Sequence, residues 1–262
     1  MRRYLRLYRI FWENCFVREA EFRANFWANV ATNFGWLFFF VAFIGVFYSQ
    51  TTAIAGWTEG ETLALTGTFG VVQGLFQIVA YQNLTQLPQQ VRLGTLDFAI
   101  IRPVDSQFFV STRYVKLDSI GNVIGSAFVV VYGAMTAPHS VTPLNVAAYV
   151  ALDLCAIVIF YGIYFILMTL SLWFVRLDNL SVLADMVFVV GRYPVQIFNG
   201  WARLLFTYVI PLAFLATFPT QALFGKFSGW ELGAGALLAC VSLAASIAFW
   251  RFALRFYSSA SS

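Results

Sequence analysis

The residues best placed to do chemistry in this sequence are carboxylates that lie inside apolar stretches. Asp153 and Asp185 each fall within a run of apolar residues that could cross a membrane. Charged groups are costly in lipid, so such residues pair inside a helix bundle or line a path for a substrate or an ion. We expect both carboxylates to make structural hydrogen bonds, with contact to a transported substrate as the alternative.

The sequence carries none of the common catalytic or metal-binding patterns. It has no GxxxxGK[ST], HExxH or GxSxG pattern, no GxGxxG followed by an acid, and no CxxC or Cys/His cluster. Its single histidine, His139, has no potential metal ligand beside it. We therefore predict no catalytic residue, no metal site and no cofactor bound by this chain.

The composition indicates a protein surrounded by lipid. Of 262 residues, 60% are hydrophobic and 11% are charged, and the mean hydropathy is +0.76. Soluble domains average about 25% charged residues, so this chain has too few charges to cover a surface in water. We predict an all-α membrane protein, because helices satisfy their own backbone in lipid. The net charge of +4 gives no reason to expect nucleic acid as a partner.

Apolar stretches predict six spans in a single transmembrane domain over residues 1–262. The spans cover about 27–48, 61–81, 117–136, 145–172, 180–194 and 231–250. The alternative is a fifth span at 204–222, which would place Arg192 and Arg203 on the same side of the membrane as most other basic residues. The second span also repeats a small residue at a spacing that lets another helix approach closely. These small residues are Gly67, Gly70 and Gly74.

Three segments between or before the spans have their own character. Residues 1–26 place aromatic side chains opposite arginines, as is typical of a helix in the membrane interface, with packing on neighbouring protein as the alternative. Residues 82–116 form a long polar interruption, within which 96–101 is apolar but too short to span. Residues 200–224 are apolar and are interrupted by glycine and proline, which invite breaks.

The distribution of basic residues predicts the orientation of the chain. All 16 Lys and Arg residues except Arg192, Arg203 and Lys226 fall in the N-terminal segment, in 82–116, at Arg176 or near the C-terminus. In the six-span arrangement these regions share one side of the membrane. Because basic residues collect on the cytoplasmic side, we predict that both termini are cytoplasmic.

Several motifs, in a fixed order along most of the chain, resemble those of a known family. They are the basic aromatic N-terminal helix, Leu87–Asp97 with Arg102-Pro103, Arg192-Tyr193-Pro194, Ile210–Phe214, Phe218-Pro219 and the tail Leu254–Ala260. The chain resembles the ABC type-2 permeases, which are the membrane subunits of ABC exporters. It is most similar to a short subgroup with six spans and a brief C-terminal tail.

The resemblance implies a function and a set of partners. The chain would be a permease subunit of an ATP-driven exporter in the bacterial plasma membrane, where it forms half of the translocation pathway. A second permease, identical or different, would supply the other half. A separate pair of ATPase subunits would bind ATP and magnesium, so this chain is expected to be no enzyme. The segment 200–224 would be a re-entrant helical element on the outer side.

The resemblance also assigns roles to particular residues. The loop 82–116 would couple the spans to the ATPase, through Gln90, Arg92, Gly94, Asp97 and Arg102. The polar residues expected in or beside the pathway are Asp153, Asp185 and Tyr193. Lipids, hydrophobic drugs, peptides and glycans all suit an aromatic-lined bundle of this kind.

An ion-coupled secondary transporter or a channel subunit is the alternative function. Asp153 and Asp185 would then be the ion-coupling groups. Such transporters usually show a denser set of intramembrane carboxylates and broken helices in both halves of the chain. Here the breaks concentrate in 195–224.

Overall fold

The chain folds as a bundle of helices with the lengths that a membrane requires. A computed structural model describes residues 2–21, 23–174 and 179–257, and the named secondary structure in these ranges is entirely helical. Within them, five helices are long and apolar enough to cross a membrane, and the number is six if one bent pair is counted as a single span. The prediction of an all-α membrane protein is therefore confirmed.

The helices follow most of the predicted spans. Their bounds are α1 (Arg2–Glu21), α2 (Arg23–Tyr48), α3 (Glu59–Phe76), α4 (Gln82–Thr85), α5 (Leu87–Arg92), α6 (Asp97–Ile100), α7 (Ser106–Thr112), α8 (Ser119–Thr136), α9 (Pro143–Thr169), α10 (Leu180–Phe188), α11 (Gly200–Leu204), α12 (Thr217–Leu223) and α13 (Trp230–Leu254). Helices α2, α8, α9 and α13 match the predicted first, third, fourth and last spans. Short 3-10 turns extend α9 to Leu172 and α10 to Arg192.

The second span is longer than the sequence predicted. Helix α3, a π-helical turn at Gln77–Tyr81, α4 and α5 form one run over Glu59–Arg92. The helix continues past the predicted end because buried apolar residues still recur at helical spacing. These residues are Leu84, Leu87 and Val91. The predicted loop 82–116 therefore begins inside a helix.

The bundle has two ends, which we call proximal and distal. The proximal end holds α1, α5, α6, α7 and the last turn of α13. The distal end holds the end of α2 at Tyr48, the start of α3 at Glu59 and the start of α9 at Pro143. The basic N-terminal segment and the loop 82–116 thus meet at the proximal end. The predicted break at Arg176 lies outside the described residues.

Helices α3 and α8 approach each other along the predicted glycine face. A Cβ atom added to Gly67 would lie 2.7 Å from the Ser126 carbonyl oxygen and 2.8 Å from the Val130 backbone nitrogen. A side chain therefore does not fit between the two backbones, as in other small-residue helix contacts in membranes. Helices α9 and α13 form a second close pair, with Gly162 of α9 against Ser242.

The segment predicted as the fifth span traverses the bundle in a broken form. Helix α10 with its 3-10 extension is about 20 Å long, which is shorter than a hydrocarbon core of about 30 Å. Asp185 bonds Tyr81 toward the proximal end, whereas Gln196 accepts a hydrogen bond from Trp57 near the distal end. Non-helical backbone at 193–194 joins the part of the segment near Tyr81 to the part near Trp57.

Residues 200–224 begin and end toward the distal end. They follow Gln196, and they precede Lys226, whose Nζ lies 2.6 Å from Glu61 Oε1 beside the start of α3. The helix axis of this segment bends by 67° between Gly200–Val209 and Leu212–Leu223. Pro211 lies at this bend, where it has no N–H to donate. Both ends of this segment therefore lie near the distal end, with the bend between them.

Candidate functional site

The predicted coupling loop encloses a polar groove at the proximal end. The groove has a volume of about 510 Å³ and lies between the end of the run Glu59–Arg92, α6 and α7. Amide side chains line one wall and aromatic rings another. The charged residues that line it, Arg102 and Arg113, are both basic. The groove is therefore suited to a surface that presents carboxylates or carbonyl oxygens.

The five predicted coupling residues divide between the groove and the turn that shapes it. Gln90 and Arg102 line the groove. Arg92 ends α5, and Asp97 begins α6. Gly94 lies between them with a φ of 68°, in the left-handed region that glycine adopts without steric cost. A bulky residue at Gly94 would thus change the shape of the turn as well as its surface.

Three apolar side chains project beside this groove, and two of them, Phe98 and Ile101, belong to the stretch 96–101 that the sequence analysis found to be apolar. Leu93, Phe98 and Ile101 are 60%, 65% and 76% exposed. All three lie on the turn and short helix between α5 and α7. Exposed apolar side chains around a polar groove are typical of a surface that binds another protein or lies along the membrane.

Hydrogen bonds connect the groove to the membrane helices. Asn83 accepts a bond from the backbone N–H of Tyr114 at 2.8 Å and donates one to its carbonyl at 2.6 Å. Gln107 of α7 donates to Tyr161 of α9 and to Ser246 of α13, both at 3.1 Å. A displacement of α7 would therefore act directly on two spans.

Helix α1 packs against the same region. The buried Cys15 accepts a hydrogen bond from the backbone N–H of Val115 at 3.3 Å. The Phe11 ring meets the edge of Phe109 at 5.9 Å between centroids. Phe16 is 66% exposed. The helix thus has one side on the protein and an apolar side that can contact the membrane interface.

Asp185 is held by two tyrosines near the proximal end. Tyr81 donates to Asp185 Oδ2 at 2.6 Å, and Tyr164 donates to Oδ1 at 3.2 Å. The rings of Phe76 and Phe160 stack nearby, with centroids 4.3 Å apart. Both carboxylate oxygens are therefore occupied by donors from the bundle itself.

Asp153 lies in a buried polar chain between α9, α3 and α12. Tyr149 lies one helical turn before Asp153 on α9. Thr68 donates to the Tyr149 hydroxyl at 3.2 Å and accepts a bond from Thr220 at 3.2 Å. Asp153 is 7% exposed, and its Oδ1 has no hydrogen-bond partner in the described ranges. Asp153 thus differs from Asp185 in keeping one oxygen unoccupied.

Arg192 holds an intramembrane position that the sequence analysis did not assign to a site. Its guanidinium carbon lies 3.8 Å from the centroid of the Phe40 ring and 5.2 Å from that of Phe69. The predicted Tyr193 follows it and is 45% exposed. The signal in the sequence is a basic residue inside an apolar stretch, which the charge distribution treats only as an exception.

Comparison with known proteins identifies a family. The family model described as "ABC-2 family transporter protein" matches residues 34–261. No curated protein and no solved structure matches the chain. The matched region contains the proximal groove, the two carboxylates and Arg192.

Proposed function

The chain belongs to the ABC-2 transporter family as a permease subunit of an ABC transporter, and we propose that it serves an ATP-driven exporter whose ATPase subunits are separate chains. Two such subunits, with ATP and magnesium, would bind the proximal end on the cytoplasmic side of a bacterial plasma membrane. A second permease, identical or different, would complete the translocation pathway.

The observation that carries this proposal is the connection between the proximal groove and the spans. The groove presents Arg102 and Arg113 beside the exposed side chains of Phe98 and Ile101. Beneath it, Gln107 bonds α9 and α13. A partner that pushes on this surface therefore has a direct mechanical route into the membrane.

A transport cycle follows from this geometry. ATP binding would draw the two ATPase subunits together and shift the docked grooves. Helix α7 would transmit the shift to α9 and α13, while α1 moves with it through its contacts at Phe11 and Cys15. The pathway between two permeases would then open toward the distal end.

The experiment is affinity purification of the chain from its native membrane. We expect the wild-type chain to bring down a soluble ATPase. Substitution of two exposed apolar residues, Phe98→Asp with Ile101→Asp, should lower this recovery by about tenfold, as loss of interface anchors does. The control Val141→Asp alters a residue that is 37% exposed in the turn before α9, and it should recover as much ATPase as wild type.

One observation favours the ion-coupled alternative, namely the unoccupied Oδ1 of Asp153. Such a transporter would need no ATPase. The same purification therefore separates the two functions. A well-folded chain that recovers no ATPase, or a double variant that recovers as much as wild type, would contradict the proposed docking.

A further inference from the structure

Arg192 stands where two cavities of opposite character meet. A polar cavity of about 190 Å³ lies between α2, α3 and α8. An apolar groove of about 540 Å³ lies between α2 and residues 190–198. Arg192, Phe40 and Thr66 line both cavities, so the two lie side by side with a charged residue between them.

The polar cavity contains groups that lack partners. Asn33 Nδ2 and Ser126 Oγ are buried and make no hydrogen bond to any described residue. Arg192 makes ring contacts only, with no ion pair or hydrogen bond in the described part of the chain. The cavity is lined further by the amides of Gln73 and Asn122 and by no carboxylate. It therefore offers one positive charge and several donors to an anion.

The apolar groove offers a complementary surface for a hydrocarbon chain. Its lining consists mostly of aromatic and aliphatic side chains. Among them are Phe43, Ile44, Phe47, Pro194, Ile197 and Phe198. Its volume is in the range of small-molecule binding sites.

The position of this site along the helices makes the unpaired charge significant. Phe40 lies about 12 Å along α2 from its distal end, and Phe69 lies about 15 Å along α3 from its distal start. Arg192 contacts both rings, so it lies within the hydrocarbon region. A charge at that depth is costly unless it is paired, and an anion would offset this cost.

We propose that this two-part cavity binds an amphiphile with an anionic head group. The head group lies at Arg192, where it accepts hydrogen bonds from the guanidinium, Asn33 and Ser126. The tail lies along the apolar groove. Resting on the proposed export function, this assigns anionic amphiphiles as the class of transported substrate.

Photolabelling of the purified full chain in nanodiscs tests the proposal. The probes are phosphatidylglycerol and phosphatidylcholine that carry the same diazirine-bearing acyl chains, and labelled peptides are mapped by mass spectrometry. We expect phosphatidylglycerol to label residues 40–48 and 190–198 about tenfold more than phosphatidylcholine, because both lipids carry a phosphate but the choline cation adds a positive charge that no carboxylate in this cavity offsets. Equal labelling by the two probes would overturn the proposal.

Matched variants locate the charge that is responsible. Arg192→Gln should reduce phosphatidylglycerol labelling to the phosphatidylcholine level. Arg203→Gln, which removes an exposed arginine of α11, should keep the preference. An Arg192→Gln chain that retains the full preference would rule out Arg192 as the head-group ligand.

Competition on the wild-type chain gives a result that does not depend on the folding of a variant. Dodecyl phosphate should displace the phosphatidylglycerol probe, whereas dodecylphosphocholine at the same concentration should not. Inorganic phosphate should also fail, since it has no tail, and displacement by inorganic phosphate would contradict an amphiphile site. None of these measurements needs an ATPase, so their failure is distinct from failure of the proposed docking.

Discussion

At the scale of single residues, one buried carboxylate joins three segments at the distal end. Glu61 is 1% exposed. Its Oε1 lies 2.6 Å from Lys226 Nζ and 3.3 Å from His139 Nδ1, and its Oε2 accepts a bond from the Thr58 backbone N–H at 2.9 Å. Glu61 thus connects the start of α3 to the turn before α9 and to the return of segment 200–224.

The substitution Glu61→Gln should destabilise the protein through these contacts. Glutamine still suits the capping position, so the loss is confined to the charge. We expect the free energy of unfolding to fall by about 1–3 kcal/mol, less than for a fully buried pair because water reaches Lys226. Thermal unfolding in detergent measures it. Glu59→Gln, an exposed change on the same helical turn, is the control, and equal effects of the two would contradict this role.

At the scale of elements, α3 packs closely on α8. Among the described residues, this pair forms the most extensive contact between two helices. Gly67 has the α8 backbone where a side chain would stand. Dispersion between such closely spaced backbones drives helix association in lipid, where no hydrophobic effect operates between helices. Gly233 of α13, in contrast, has no heavy atom within 4 Å of an added Cβ.

Alanine at these two glycines should therefore have opposite effects. Gly67→Ala forces the helices apart, and we expect a loss of about 1–3 kcal/mol in unfolding free energy. Gly233→Ala should be neutral or stabilising by up to about 1 kcal/mol, because alanine has the higher helix propensity. Unfolding of both variants under one set of detergent conditions measures the difference. Similar shifts in both would mean that α3 and α8 do not pack this closely.

The sequence alone was sufficient to predict the helices that a long apolar stretch places in the membrane. Long apolar runs predicted α2, α8, α9 and α13, and the glycine spacing predicted the face on which α3 packs. It did not predict helix α7, although Asp105 gives a local signal by capping its start. The bonds of Gln107 reach residues far along the chain, and spacing along the sequence does not reveal them. It also ended the second span early, because the burial of Leu84 and Leu87 outweighs the polar residues between them.

The candidate sites were predictable only in part, for a related reason. Asp153 and Asp185 could be located because a carboxylate in an apolar run is conspicuous. The hydrogen-bond partners of Asp185 could not be predicted, since Tyr81 and Tyr164 lie in other segments of the chain. Arg192 is conspicuous in the sequence as a basic residue in an apolar stretch. The cavity that it lines has walls on three separate helices, and the spacing of residues along the sequence does not reveal that cavity.

At the scale of the whole molecule, the proposed docking surface, the proposed ligand site and the Glu61 contacts lie at different depths of one bundle. The groove beside Arg102 lies at the proximal end, the Arg192 cavity lies within the membrane, and the Glu61 contacts lie at the distal end. Helices α3 and α9 extend along these levels. The arrangement is suited to a subunit that is driven from one end and handles its ligand in the middle.

The most direct test of this account is ATP hydrolysis in reconstituted vesicles, measured for the purified chain alone and for the chain with the ATPase that it recovers. We predict background hydrolysis for the chain alone and strong hydrolysis for the complex, lowered when Phe98→Asp and Ile101→Asp weaken docking. Robust hydrolysis by a clean preparation of the chain alone would contradict the division of labour between permease and ATPase.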